Sequence, residues 1–273
     1  VRTAAMVGGE GVRERLAEFV PLAETRVIDE LLRAWQRSED PESYACQVLA
    51  DVAFGDRSLE VRGWHRVRCL VHLHRLTSVV CYGDFSLLEP LAHMPALRRL
   101  ELVQNELLRN LSPLAASTTL HTLHLRSGCG FLRDLSPLAG TTVEELGLHL
   151  VTADLRTLRP GRLRRLVIND PRLRDGLDPL PADLDLRELV LDNPPRSRNL
   201  RGVERWPRLE RVALRGTPRP EDVSRLAGLP ALRRLDLDHV PPGDRAAVGD
   251  LLAAVPPHVE VHVGGTALPT LRS

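Results

Sequence analysis

Lysine is missing altogether: all 37 basic residues are arginine. That excludes a phosphate-loop lysine, a Schiff-base lysine and a lysine general base. Isoleucine occurs only at Ile28 and Ile168, and aromatic residues make up 3% of the 273 positions. A β-sandwich or an open α/β enzyme builds its core from such residues, so both are disfavoured. Neither sign of charge dominates, with 37 basic residues against 36 acidic and a net charge of +1. A bulk basic field for nucleic acid is therefore absent, and a nucleic-acid partner is not expected. No apolar run reaches the ~18 residues that span a bilayer. The N-terminal "VRTAAMVGGEGVRERLAEFV" lacks the apolar core of a signal peptide.

The motifs of common chemistry are missing too. No HExxH or GxSxG is present, and "VGGEG" from Val7 has no lysine after it, so it reads as a flexible terminus. Cys46, Cys69, Cys81 and Cys129 show no Cys-x-x-Cys spacing. They read as reduced, mostly buried thiols of a cytoplasmic protein. Cys129, in "RSGCGF", reads as a loop thiol. His72 and His74 alternate across "LVHLHRL", while His121 and His124 would face opposite sides of a strand, which is wrong for shared metal binding. The expectation is a protein that is not an enzyme, with no metal and no cofactor.

What the chain has is leucine, at 51 positions. A ladder runs "LTSVVC" from Leu76, "LRRLEL" from Leu97, "LHTLHL" from Leu120 and "VEELGL" from Val143. It continues with "LRRLVI" from Leu163, "LRELVL" from Leu186, "LERVAL" from Leu209 and "LRRLDL" from Leu232, and "HVEVHV" from His258 fits one more strand. The eight starts are spaced 21, 23, 23, 20, 23, 23 and 23 residues. The fourth and sixth residues of each unit alternate inward on a short strand. One such strand cannot bury its apolar face alone, but stacked parallel strands can. "NLSPLAAS" from Asn110 and "DLSPLAGT" from Asp134 are return segments whose leucines plug the same core from behind. Their proline favours a tight turn, and 3₁₀ or irregular backbone is expected there.

This Leu-x-x-Leu-x-Leu ladder resembles the short, 22–23-residue class of leucine-rich repeats. The resemblance implies an α/β solenoid with a curved parallel β-sheet on its concave face, a 3₁₀ or irregular convex side and an N-terminal helical cap. The expected layout is a capping region over 1–72, a solenoid of about eight repeats over 73–265 and a tail over 266–273. The family places Asn three residues after the last strand leucine. Here only Asn105 matches, and Gly128, Val151, Pro171, Pro194, Thr217 and Val240 stand in its place.

Residues 24–37 put Val27, Ile28, Leu31, Leu32 and Trp35 on one helical face. Asp40 and Pro41 spell the start of a second helix, and "SLEV" from Ser58 reads as a first strand. The stretch "PESYACQVLADVAFGDRSLEVRGWHRVRCL", followed by the repeats, is similar to the linker before the leucine-rich repeats of bacterial NACHT-type signalling ATPases. That resemblance implies a sensor segment in a cytosolic signalling or defence protein, with its NTPase domain upstream of Val1.

The open face of the sheet is legible by register. The third position of each unit carries Ser78, Arg99, Thr122, Glu145, Arg165, Glu188, Arg211 and Arg234, an alternating charge ladder in its middle. The fifth carries Val80, Glu101, His124, Gly147, Val167, Val190, Ala213 and Asp236, so Gly147 through Ala213 reads as an apolar strip. Arg126, Asn169 and Arg215 follow in the seventh. Two readings stand: side chains that merely satisfy one another in solvent, or a strip framed by charge that grips a protein partner. On the second, Val167 and Val190 anchor the partner, and Glu145, Arg165, Glu188 and Arg211 set its register. A free-standing scaffold and an arginine-faced nucleic-acid binder are the competing roles.

Overall fold

The computed structural model describes residues 25–84, 86–169, 173, 176–192, 199–216, 220–240 and 245–268. The expectation at Val7, the positions of Pro171, Pro194 and Thr217, and both chain ends lie outside them. Eleven strands form one sheet in strict chain order: β1 Ser58–Arg62, β2 Ser78–Tyr82, β3 Arg99–Val103, β4 Thr122–Gly128, β5 Glu145–Val151, β6 Arg165–Asn169, β7 Glu188–Leu191, β8 Arg211–Arg215, β9 Arg234–Asp238, β10 Glu260–Val263 and β11 Thr266–Leu268. The first ten run parallel, and β11 turns back antiparallel to β10. This is the α/β solenoid of a leucine-rich repeat chain.

The ladder is drawn tight by one repeated bond just ahead of each strand. His121 N–H donates to Arg98 O, Glu144 to His121, Arg164 to Glu144, Arg187 to Arg164, Glu210 to Arg187 and Arg233 to Glu210, all at 2.8–2.9 Å. Behind the sheet the paired leucines Leu100/Leu102, Leu123/Leu125, Leu189/Leu191 and Leu235/Leu237 are wholly buried. They meet the return-segment leucines Leu111, Leu114, Leu135, Leu177, Leu180 and Leu200 in one continuous core.

The ladder begins at β1, upstream of Leu73. There Leu59 and Val61 point inward with the usual alternation, but the unit's first position is Asp56, so the leucine spelling is lost. The cap before it is helical. In α1 (Thr25–Arg37), Ile28, Leu31 and Trp35 are buried, and Trp35 Nε1–H donates to Pro41 O at 2.8 Å. In α2 (Pro41–Tyr44), Asp40 caps the start by accepting from Ser43 N–H. The chain continues as a π turn over Ala45–Leu49.

The convex side is 3₁₀ over Ser112–Ala116, Ser136–Gly140, Leu155–Thr157 and Val203–Arg205. A recurring side-chain bond sets up these turns. Asn110, Asp134 and Asn199 each accept from the N–H two residues on at 2.8 Å, and Asp154 does so at 3.0 Å. Such Asx turns fix the chain's entry into a tight turn. They explain why "LSPLA" is preceded by Asn or Asp, and they do on the convex side what the missing Asn ladder does elsewhere.

One expectation fails at both ends of the array. After β2 the return segment is a short α-helix, Glu89–Ala92, and after β8 and β9 the returns are α-helices too, Pro220–Ala227 and Arg245–Ala254, not 3₁₀ turns. The helix after β8 opens on proline at a permitted position and has none inside. The helix after β9 lies in a longer coil, where Arg234 pairs with Glu260. A longer return leaves room for 1.5 Å-per-residue helix in place of a tighter turn.

Each described coil also leaves its strand through a left-handed residue: Gly83, Gln104, Ser127, Leu150, Gly216 and His239 all have φ between 46° and 96°. Glycine suits that conformation; leucine does not.

Candidate recognition surface

The register places the third-position side chains in one row across the open face: Ser78, Arg99, Thr122, Glu145, Arg165, Glu188, Arg211 and Arg234. Their strands lie about 4.8 Å apart, so neighbours reach one another. The charges close into a chain. His124 Nε2 lies 2.9 Å from Glu145 Oε1, and Arg165 reaches Glu145 at 3.8 Å and Glu188 at 3.5 Å. Arg211 reaches Glu188 at 3.2 Å and Asp236 at 2.6 Å, and Arg234 joins Asp236 at 2.9 Å.

The acids are the buried members: the side chains of Glu145, Glu188 and Asp236 are 19%, 18% and 10% exposed, against about 40% for the arginines. The bond from His124 holds the Glu145 carboxyl below its ordinary value, against its burial and with help from Arg165. Burial pushes Asp236 up, but bonds from Arg234 and Arg211 outweigh it and leave its carboxyl lowered. Asp236 completes the network at its C-terminal end. Its place in the fifth-position row is the signal that pointed to it.

The other expected residues fall into smaller groups. Arg126 crosses to Glu101 at 2.8 Å between β3 and β4. Arg215 lies 3.7 Å from Asp192. Arg99 is exposed in β3, at the N-terminal end of the charged row. Asn169 sits beside His149 in register, and burial, Arg126 and His124 press the His149 imidazole below its ordinary value. Arg62, which the sequence did not single out, stacks over the Tyr82 ring at 4.3 Å.

The apolar strip is narrower than its sequence suggests. A Cβ on Gly147 would sit 2.6 Å from His124 Cδ2, so the imidazole already lies over that glycine. Ala213 is buried beside the Arg211–Asp236 bond. Val167 and Val190, adjacent in register and half-buried, are what remains. The cause is reach: larger side chains from neighbouring strands, in the same row as well as the flanking one, fold over the small ones between them.

The cysteines are free, with Cys69, Cys81 and Cys129 buried and Cys46 exposed. Cys129 lies on the turn after β4, as a loop thiol, with its side chain buried and its thiol pushed up to about 11, chiefly by burial. Among the described residues no cluster of three or more His, Cys, Asp or Glu could hold a metal ion. Among them, too, no helix is long and apolar enough to cross a membrane.

No protein-family model matches the chain, and no curated protein matches it. Solved structures do. An internalin (inlF) from Listeria monocytogenes is 15% identical, with a TM-score of 0.37, over 91% of this chain and 92% of its own. Internalin C2 (inlC2) from Listeria monocytogenes is 16% identical, with a TM-score of 0.35, over 91% of this chain and 96% of its own. The plant peptide hormone receptor RGFR1, solved in complex with RGF2, is 12% identical, with a TM-score of 0.22, over 79% of this chain and 47% of its own.

Proposed function

We propose that the chain is a non-enzymatic protein-recognition module whose partner lies along the concave face of the sheet. The supporting observation is the pre-ordered frame around Val167 and Val190: Glu145, Arg165, Glu188 and Arg211 are already held by neighbours on both sides. A partner's apolar group entering between β6 and β7 meets fixed charges, so little side-chain entropy is lost on binding. Arg99, Glu101, His124, Arg126, Asn169, Arg215 and Arg234 extend the same face on either side. The test is Val167→Asp with Val190→Asp in a pull-down from the native host. Loss of the captured protein with an unchanged circular-dichroism melt supports this site; capture that survives with an intact fold removes it.

The setting proposed is the sensor end of a cytoplasmic bacterial NACHT-type signalling ATPase. It rests on the likeness of residues 41–70 to the linker that precedes such repeats. Mapping the 5′ end of the transcript tests it. An upstream frame with a glycine-rich loop ending Gly-Lys-Ser or Gly-Lys-Thr supports a sensor; a true start at Val1 leaves a free-standing scaffold instead.

A further inference from the structure

The two ends of the sheet are finished differently. At the C-terminal end the chain turns back on itself, and β11 pairs antiparallel with β10, with Val263 opposite Thr266. At the N-terminal end β1 pairs with β2 on one side, and among the described residues no strand lies on the other. Besides β2, its main neighbour is the helical turn that follows it, Trp64–Val67.

The register shows which groups this leaves over. In a parallel ladder, alternate residues turn both N–H and C=O to the same neighbour. The third-position N–H of each later strand reaches back to the coil before it: Arg99 donates to Thr77 O, Thr122 to Arg98 O and Glu145 to His121 O. In β1 the third, fifth and seventh positions are Ser58, Glu60 and Arg62, in register with Ser78, Val80 and Tyr82. With no coil before them, these three turn their N–H and C=O groups outward. Among the described residues none of them has a main-chain partner there. All three are exposed, whereas Ser78, Val80 and Tyr82 are buried or half-buried. Leu59 and Val61 between them are buried, so the core is closed behind a strand whose outer side is open. Such a strand is a template for another.

The charges select the occupant. Glu60 and Arg62 lie two residues apart on the same face of β1, and among the described residues neither has an ion-pair partner; Arg62 is stacked over the Tyr82 ring at 4.3 Å. Of the charges close by, Arg57 is paired with Asp29, and Arg66 donates to Trp35 O and Gln36 O. Asp56 and His65 lie past the ends of the strand. An acid and a base spaced in this way are self-complementary when two copies run antiparallel. A second β1 laid with Val61 opposite Val61 sets each Glu60 against Arg62 of the other copy, and their outward main-chain groups form the hydrogen-bonded pairs. Centring on Glu60 would bring like charges together, and centring on Leu59 would leave Arg62 past the end of the other strand.

We propose that the chain forms a two-fold dimer by antiparallel pairing of β1 with β1 of a second copy, centred on Val61, so that the two sheets become one. Each copy contributes the same surface, as a two-fold interface requires. This contact is separate from the Val167–Val190 site and does not rest on it.

The test is sedimentation of the full chain over a wide range of concentration. The parent should show a monomer–dimer equilibrium. Glu60→Arg and Arg62→Glu each set like charges opposite one another at both crossings and should weaken association at least about tenfold. A mixture of the two single variants should recover the dimer, because every facing pair is then Arg against Glu. The double reversal in one chain should recover it too. Val167→Asp with Val190→Asp should leave association unchanged. If Arg62→Glu, which also gives up the stack on Tyr82, does not melt like the parent, Glu60→Arg decides alone. A parent that stays monomeric at every concentration overturns the proposal, as does a dimer that Glu60→Arg leaves unchanged. So does a mixture of two well-folded single variants that stays monomeric.

Discussion

The open face across β5–β9 and the edge beyond β2–β5 treat charge in opposite ways. On the face, Glu145 and Glu188 lie between bases from neighbouring strands, Asp236 lies between Arg211 of β8 and Arg234 of its own strand, and the row closes on itself from His124 to Arg234. On the edge, Asp84, Asp134 and Asp154 accept backbone N–H bonds and keep their charge, and Arg109 lies over the uncovered Phe131 ring. The lesson is that alternation of charge in sequence signals self-satisfaction once strands stack in register.

The sharpest contrast is between leucines. Leu166 lies wholly buried behind the face, so Leu166→Ala should lower unfolding free energy by about 2–5 kcal/mol. Leu107→Ser, on the edge, should change it by no more than about 0.5 kcal/mol. Urea melts of the two variants check this; a large loss at Leu107 would make the edge structural and break the contrast. Leu150→Gly should raise stability by up to about 1 kcal/mol, since it relieves a left-handed leucine. A thermal melt reads that gain, and a loss would show that Leu150 packs on something.

The closed network should matter less for stability than its length suggests. Glu188→Gln removes the shared partner of Arg165 and Arg211, both partly exposed, and should cost about 1 kcal/mol or less, fading in high salt. A larger loss that salt does not change would mean the face is drier than described.

Smallest is a pH effect with two limbs. The His149 imidazole is lowered from 6.5 in the fold, so the unfolded chain takes that proton first and stability declines as pH falls below about 6.5. Glu145 and Asp236 are lowered from 4.5 and 3.8; their contribution is complete above those values and is lost as pH falls below them. Melting temperatures from pH 8 to pH 3 should fall in that order. His149→Asn should flatten the upper limb and leave the lower one.

The repeat made most of the fold legible. Period and leucine spelling placed β2–β10, and register alone put Glu145, Arg165, Glu188 and Arg211 in one row. β1 keeps the inward pair Leu59 and Val61 but has Asp56 at its first position, so its place in the parallel stack became clear only from its pairing with β2. The α-helices after β8 and β9 were missed because coil period says nothing about how the return segment winds. The four-residue apolar strip shrank to two valines because side-chain reach, which carries His124 over Gly147, is not written in position. The Asx turns were in view as the first letters of "NLSPLA" and "DLSPLA", yet their role depends on a bond to the N–H two residues on. The exposure of Leu87, Leu107 and Phe131 was hidden because each sits next to a buried leucine and reads as core.

The central claim is that ten coils stack parallel and in register. Nitroxide pairs at exposed positions ahead of the strands test it most directly, using Arg98 with Glu144, Arg98 with Arg187 and Arg98 with Arg233 as cysteine variants of a chain whose own cysteines are replaced by serine. Two, four and six coils separate these pairs along the observed hydrogen-bond ladder. Pulsed electron–electron double resonance should give separations that grow by about 5 Å per coil, before label length is added. Separations that fail to grow with coil number would contradict the stack, and with it the proposed concave surface.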